Sequence, residues 1–196
     1  AQKILSALHE IEQQMHQGEF QLDSAKEDVH YNIESFVTQT QGVSVGGSMH
    51  TGRSRNDQTS CDIRLFLRQE CLYLSGALLS LCQVMLKQAS QHLHTTLPGF
   101  THHQPAMVTT WGHWLCSYVQ SILRDLERIE HAHSLVNRNP LGAAASFGTS
   151  WSINRERTTE LLGFATVEIN TLDCISSRWE NEAQVAQVYG FLMNHL

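Results

Sequence analysis

A chain of 196 residues with 41% hydrophobic side chains is long enough to bury one large core or two small ones, which excludes global disorder. Its net charge of −6 and pI near 6.0 supply no dense Lys/Arg stripe for phosphates, excluding a general nucleic-acid binder. No uninterrupted apolar run of about 18 residues, no basic-then-apolar leader and no CxxC pair among the five cysteines occur, so we expect no membrane span and a reduced, cytoplasmic setting with buried free thiols.

The prolines stand at 98, 105 and 140, so the first 97 residues read as helical. Ile4, Leu8, Ile11 and Met15 predict an amphipathic helix over 1–17, with Gly18 as its stop. Ser24-Ala-Lys-Glu27 has the capping-box pattern and predicts the start of a second helix carrying Asp28, His30, Ile33, Glu34 and Val37. Residues 41–56, rich in Gly and Ser, read as loop. From about 57 to 95, Ile63, Leu67, Leu74, Leu78, Leu81 and Met85 recur in heptad-like steps, predicting a helix ~50 Å long. Residues 95–105 read as a connector. A second apolar seam, Trp111, Leu115, Val119, Ile122, Leu126, Ile129, His133 and Val136, predicts another long helix closed by Asn139-Pro140. A small-residue stretch at 142–150, a short helix near 154–162 and a last helix from about Asp173 complete the pattern. Helices this long need partners along their whole length, so an all-α, antiparallel long-helix bundle is expected. Its apolar, unbroken final helix suggests a bundle that is truncated or completed by other subunits. We divide the chain into 1–56, part of an N-terminal helical domain, and 57–196, part of a central bundle.

Three stretches can carry chemistry. In Met49-His-Thr-Gly-Arg-Ser-Arg-Asn-Asp-Gln58, glycine lets backbone approach a ligand and Arg53 and Arg55 can each grip a carboxylate with two donors. Asn56 or Asp57 would cap the helix that follows. The plain alternative is a solvated polar loop. Thr101-His102-His103-Gln104 falls where two long helices are joined; a histidine there can move protons, or simply lie on the surface. Glu27-Asp28-Val29-His30 opens a helix, where carboxylates are favoured by the dipole alone. His92-x-His94 and His131-x-His133 are spaced two apart, which on a helix points them away from each other, so no metal site is expected. No phosphate-binding or dinucleotide-binding glycine motif and no nucleophile elbow is present.

The segment Gly46-Gly-Ser-Met-His-Thr-Gly-Arg-Ser-Arg-Asn-Asp-Gln58 resembles the signature of the argininosuccinate lyase family, within the fumarase/aspartase superfamily. Leu97-Pro-Gly-Phe-Thr-His-His-Gln-Pro-Ala106, Glu27-Asp-Val-His-Tyr-Asn-Ile-Glu34 and Asn139-Pro-Leu-Gly-Ala-Ala-Ala145 are similar to further segments of that family, in register. The resemblance implies a long-helix bundle assembled as a homotetramer, no cofactor, and reversible elimination of arginine from argininosuccinate to give fumarate. Each active site would take three regions from three subunits. Residue by residue it implies His102 as the catalytic acid/base, and Ser54, Arg55, Asn56, Thr101, Asp28, His30 and Gln104 as residues of the substrate site. The family's third signature, Gly-Ser-Ser-x-Met-Pro-x-Lys-x-Asn-Pro with the catalytic serine, does not occur among these residues, and "ASFGTSWSINRE" at 145–156 departs from the usual form. These residues alone are therefore expected to be inactive. A related C–N lyase on another N-substituted aspartate, and a non-catalytic relative of the crystallin kind, are the alternatives.

Overall fold

The structure is a computed structural model that describes all residues from Ala1 to Leu196. It divides into two compact units, Ala1–Ser54 and Arg55–Leu196.

In the first unit, helices α1 (Gln2–Gln17), α2 (Val29–Gln41) and α3 (Val43–Met49) enclose a small core. Ala7, Ile11 and Val37 are its buried centre, with Phe20 edge-on to Phe36 at 5.8 Å between ring centroids. Gly18 ends α1 as expected, its N–H donating to the carbonyls of Gln14 and Met15. The capping-box expectation at Ser24 is not met. α2 starts five residues later, capped by Asp28, whose Oδ1 accepts from Tyr31 N at 2.7 Å. Asn32, buried, fixes the intervening turn by accepting from Asp23 N and donating to the Asp23 and Asp28 carbonyls. The stretch read as loop at 41–56 contains α3. Gly46 lies so close to Thr38 of α2 that a Cβ there would overlap it, so this glycine allows two helices to touch.

The second unit is built on α4 (Arg55–Gln91) and α5 (Trp111–Val136), joined by the hairpin β1 (Thr96–Thr101) and β2 (Gln104–Thr110). Then come β3 (Arg138–Asn139), α6 (Arg155–Leu162), β4 (Thr166–Val167), α7 (Thr171–Ser176) and α8 (Arg178–Met193). Eight helices make the chain all-α in class, with two small two-stranded ribbons added. The connector expected at 95–105 is mostly strand: Thr96 pairs with Thr110 and Thr101 with Gln104. The last helix is broken at Ser177 into α7 and α8.

The start of α5 (Gly112) meets the end of α4 (Ala89) and His92 just beyond it, while His133, near the end of α5, feels the charge of Arg68, in the first half of α4. The two helices are therefore antiparallel. Cys71, Leu78 and Cys82 of α4 bury against Val119, Ile122, Ile129, Ala132 and Val136 of α5, and α8 adds Val185 and Leu192. Each such buried aliphatic side chain contributes on the order of 1.5–3 kcal/mol. Asp125, fully buried on α5, pairs with Arg128 Nη1 at 2.8 Å and is hydrogen-bonded to His195 Nδ1 at 2.5 Å. Four cysteines are buried as expected, but Cys116 is exposed; all five are free.

α4 carries a second apolar stripe that the heptad reading overlooks. Leu72, Leu79 and Leu86, seven residues apart, are each about half exposed, beside exposed Phe66, Tyr73 and Val84. Its most apolar 18-residue window has a mean hydropathy of 1.2, with only 17% of that window buried. Ser75, Ser80 and Gln83 interrupt the helix with polar groups. That mixture suits a helix packed among other helices.

Candidate active site

The signature segment straddles the boundary of the two units. Arg53 belongs to the first and donates from Nη2 to the carbonyl of Met49 at 3.2 Å, closing the end of α3. Ser54 is that unit's last residue. Asp28 and His30 share the first turn of α2, both half-buried.

Arg55, Asn56 and Asp57 form the first turn of α4. The expectation that Asn56 or Asp57 caps this helix is overturned, because both lie inside it and their side chains reach other parts of the chain. Asp57 is fully buried, and its Oδ2 accepts from Gly142 N at 3.0 Å and Ala144 N at 2.9 Å. Asn56 Oδ1 accepts from Arg178 Nη1, at the start of α8, at 3.1 Å. Arg55 donates to Gln58 Oε1 at 2.7 Å.

The loop that Asp57 holds is strained. Ala144 and Ser146 have φ of 52° and 104°, a region L-residues seldom occupy, and Gly142 sits at 90°. Gly142 has no room for a side chain: a Cβ would stand 2.8 Å from atoms of Arg155 and Ile153. Arg155 completes the clamp, donating from Nε to the Leu141 carbonyl and from Nη2 to the Glu168 carbonyl, both at 2.7 Å. Asn139, fully buried, donates to the Thr158 and Thr159 hydroxyls and accepts from Leu141 N. Behind this loop Arg64, 2% exposed, donates to the Arg138 carbonyl at 2.7 Å and pairs with Glu168 at 3.3 Å. Cys174 is enclosed here, and burial pushes its thiol up.

The second motif lies at the other end of α4. Thr101 and Gln104 are the last pair of the hairpin, and His102 and His103 are its two-residue turn with φ of 52° and 60°. Positive φ at both central residues is the geometry that matches the twist of a two-residue hairpin. All four side chains are exposed. Thr101, His102 and Gln104 are thus brought together at one tip, as Arg55 and Asn56 are at another. The whole of α4, about 55 Å long at 1.5 Å per residue, lies between the two groups in the chain. Arg155, Glu168 and Arg178 were not singled out by sequence reasoning, and Asp57 was singled out only as a helix cap, not as the anchor of the Gly142–Ala144 loop. Only Asp57 had a signal, its place in the signature; Arg178 is 122 residues from its partner.

Long helices with polar signatures at the two ends of α4 are the features the chain shares with an all-α bundle class. The chain belongs to the lyase family whose sequence profile matches all of residues 1–196. It is 49% identical over 175 residues to the argininosuccinate lyase of Alcanivorax borkumensis, covering 89% of this chain and 38% of that protein. It is 43% identical over 194 residues to that of Methanosarcina mazei, covering 99% of this chain and 39% of the relative. Among solved structures, EDDS lyase in complex with formate superposes with a TM-score of 0.88 at 30% identity, over 98% of this chain and 37% of that one. A variant of EDDS lyase with bound fumarate superposes at 0.83 and 32% identity, over 95% of this chain and 36% of that one. The chain therefore spans well under half the length of the relatives it matches.

Proposed function

We propose that this chain supplies two of the three regions of the active site of an argininosuccinate lyase. The observation that carries the reading is its 43–49% identity to argininosuccinate lyases over 89–99% of its length, with both polar signatures present in the sequence. In the proposed reaction a base removes a proton from the carbon beside a carboxylate of argininosuccinate. The electron pair forms the new C=C bond of fumarate as the C–N bond breaks. The nitrogen keeps the bonding pair, takes a proton and leaves as arginine. Negative charge develops on a carboxylate, so fixed donors around it supply a large part of the rate enhancement. Ser54, Arg55, Asn56, Thr101, Asp28, His30 and Gln104 are the substrate-binding set and His102 is the acid/base. No cofactor enters this scheme.

The separation of about 55 Å along α4 supports an active site shared between copies of the chain, since Asn56 and His102 of one copy cannot reach a single substrate. The exposed Leu72, Leu79 and Leu86 stripe supports a helix-to-helix interface, and a homotetramer in the cytoplasm is the assembly we propose. A second reading, a C–N lyase acting on another N-substituted aspartate, is favoured by the likeness to EDDS lyase. Fumarate release by an assembly in which the serine-bearing segment is supplied, followed by its ultraviolet absorbance with argininosuccinate and with other aspartate adducts in parallel, separates the two. Turnover of argininosuccinate alone supports the first reading, and turnover only of another adduct overturns it. The isolated 196-residue chain, lacking the serine-bearing segment, is expected to release none.

A further inference from the structure

Asp57 stands in the first turn of α4 with its side chain fully out of water. Burying a carboxylate is costly unless donors replace its hydration. Two donors that do so are backbone amides two residues apart, Gly142 N–H and Ala144 N–H, which reach the same oxygen, Oδ2, at 3.0 and 2.9 Å. The backbone along this loop alternates in hand. Gly142, Ala144 and Ser146 have φ of 90°, 52° and 104°, while Ala143 and Ala145 lie outside that positive range. Alternation of this kind turns neighbouring N–H groups to one side and makes a concave nest that holds anions.

Contacts that do not involve Asp57 also hold this nest. Leu141 N–H donates to Asn139 Oδ1, Ala143 N–H to the Pro140 carbonyl, and the Ser146 and Gly148 N–H groups to the Ala143 carbonyl. Arg155 Nε grips the Leu141 carbonyl at 2.7 Å, and Gly142 is walled in by Arg155 and Ile153. Strained backbone persists only where its surroundings over-determine it, and these contacts do so without the carboxylate. We propose that residues 142–146 form a preorganised receptor for one carboxylate group, with Asp57 as its built-in ligand. Removing the Asp57 side chain opens the receptor to a free carboxylate of that size, formate being the smallest. Asp57 is thereby a positioning residue: its capture sets the turn of α4 that carries Arg55 and Asn56. That this turn serves catalysis rests on the lyase reading; the receptor does not.

The 196-residue chain carrying Asp57→Gly, which clears the whole side chain, tests this by thermal unfolding in sodium formate and in sodium chloride of equal ionic strength. Binding to the folded state alone multiplies the folded-to-unfolded ratio by about elevenfold when formate stands at about ten times its Kd. Formate should therefore raise the midpoint of Asp57→Gly above its value in chloride. Wild type, whose receptor is filled, should gain nothing over chloride. Asp57→Asn keeps the shape with a neutral acceptor, so it should fall between the two in stability, because a charged acceptor makes the stronger hydrogen bond. Backbone amide resonances supply a second reading. In wild type the Gly142 and Ala144 signals should lie downfield and exchange slowly; in Asp57→Gly they should move upfield and return with formate. The Arg55 and Asn56 backbone signals should shift and return with them, which a simple packing defect would not do. A folded Asp57→Gly that responds to formate no more than to chloride overturns the inference, and so does an Asp57→Asn as stable as wild type. If Asp57→Gly does not fold in either salt, the other two chains decide: ordinary shifts and fast exchange at Gly142 and Ala144 in wild type overturn the receptor. Formate rescue of the Gly142 and Ala144 signals without the Arg55 and Asn56 signals overturns the positioning role. Absence of argininosuccinate turnover in the complete assembly, with formate rescue present, sinks the lyase reading and leaves the receptor standing.

Discussion

The two ends of α4 carry comparable polar signatures in opposite physical states. At the Arg55 end the turn is half-buried, with Asp57 fully buried, and is tethered, Asp57 to the Gly142–Ala144 loop and Asn56 to Arg178. At the hairpin end Thr101, His102, His103 and Gln104 are exposed, on a turn held in the left-handed region. One half of the proposed site is organised inside the chain, and the other is presented outward for use elsewhere. The difference teaches that two polar motifs of one chain can differ sharply in how far the chain's own contacts support them.

The sharpest way to break this comparison is to exchange the expected penalties. In the active assembly His102→Asn should cut turnover by about 10²–10⁴-fold, the usual share of acid/base catalysis. An exposed turn residue should leave the thermal midpoint nearly unchanged. A large loss of stability with turnover retained would place the hairpin among structural elements instead. Asp57→Ala should do the reverse in the isolated chain. It strands two N–H groups of a strained loop and should cost about 2–4 kcal/mol in urea unfolding. A cost below about 0.5 kcal/mol would mean the tether is not holding the loop.

The smallest expected effect lies between the two ends, on the α4–α5 interface. Desolvation, and secondarily the charge of Arg68, lowers the pKa of His133. The unfolded chain therefore binds the proton more readily than the folded one. Stability from this group is complete above the ordinary histidine pKa and falls as pH drops through the lower folded value. His133→Gln should flatten this part of the pH dependence of the thermal midpoint, a change of a few degrees at most. An unaltered profile would remove His133 from the explanation.

The long helices were legible because their apolar residues repeat with the helical period, and α5 runs from Trp111 to Val136 as its seam predicts. The hairpin was not, since Thr95–Pro105 contains two prolines and a turn built on histidines rather than glycines. α3 was hidden by Gly46 and Gly47, which read as loop until Thr38 is seen pressed against the first of them. At the candidate site the motif residues were legible as a cluster of donors. Their supports were not, because Arg178 and Arg155 act through contacts to residues 122 and 14 positions away in sequence. The second stripe on α4 escaped notice because one heptad seam already accounted for the helix.

The length of α4 has a consequence for how such a chain can evolve. Between its two signatures lies an unbroken rod of 37 residues, whose start is anchored by Asp57 and whose end carries the hairpin. Inserting a single residue within it would turn everything beyond by about 100° and advance it by about 1.5 Å. The hairpin tip would swing to another side of the bundle while every residue of both signatures survived. Insertions and deletions here should persist only in near-whole multiples of the helical repeat, even where substitutions are freely accepted. The rod acts as a gauge, and its phase is under as much constraint as its chemistry.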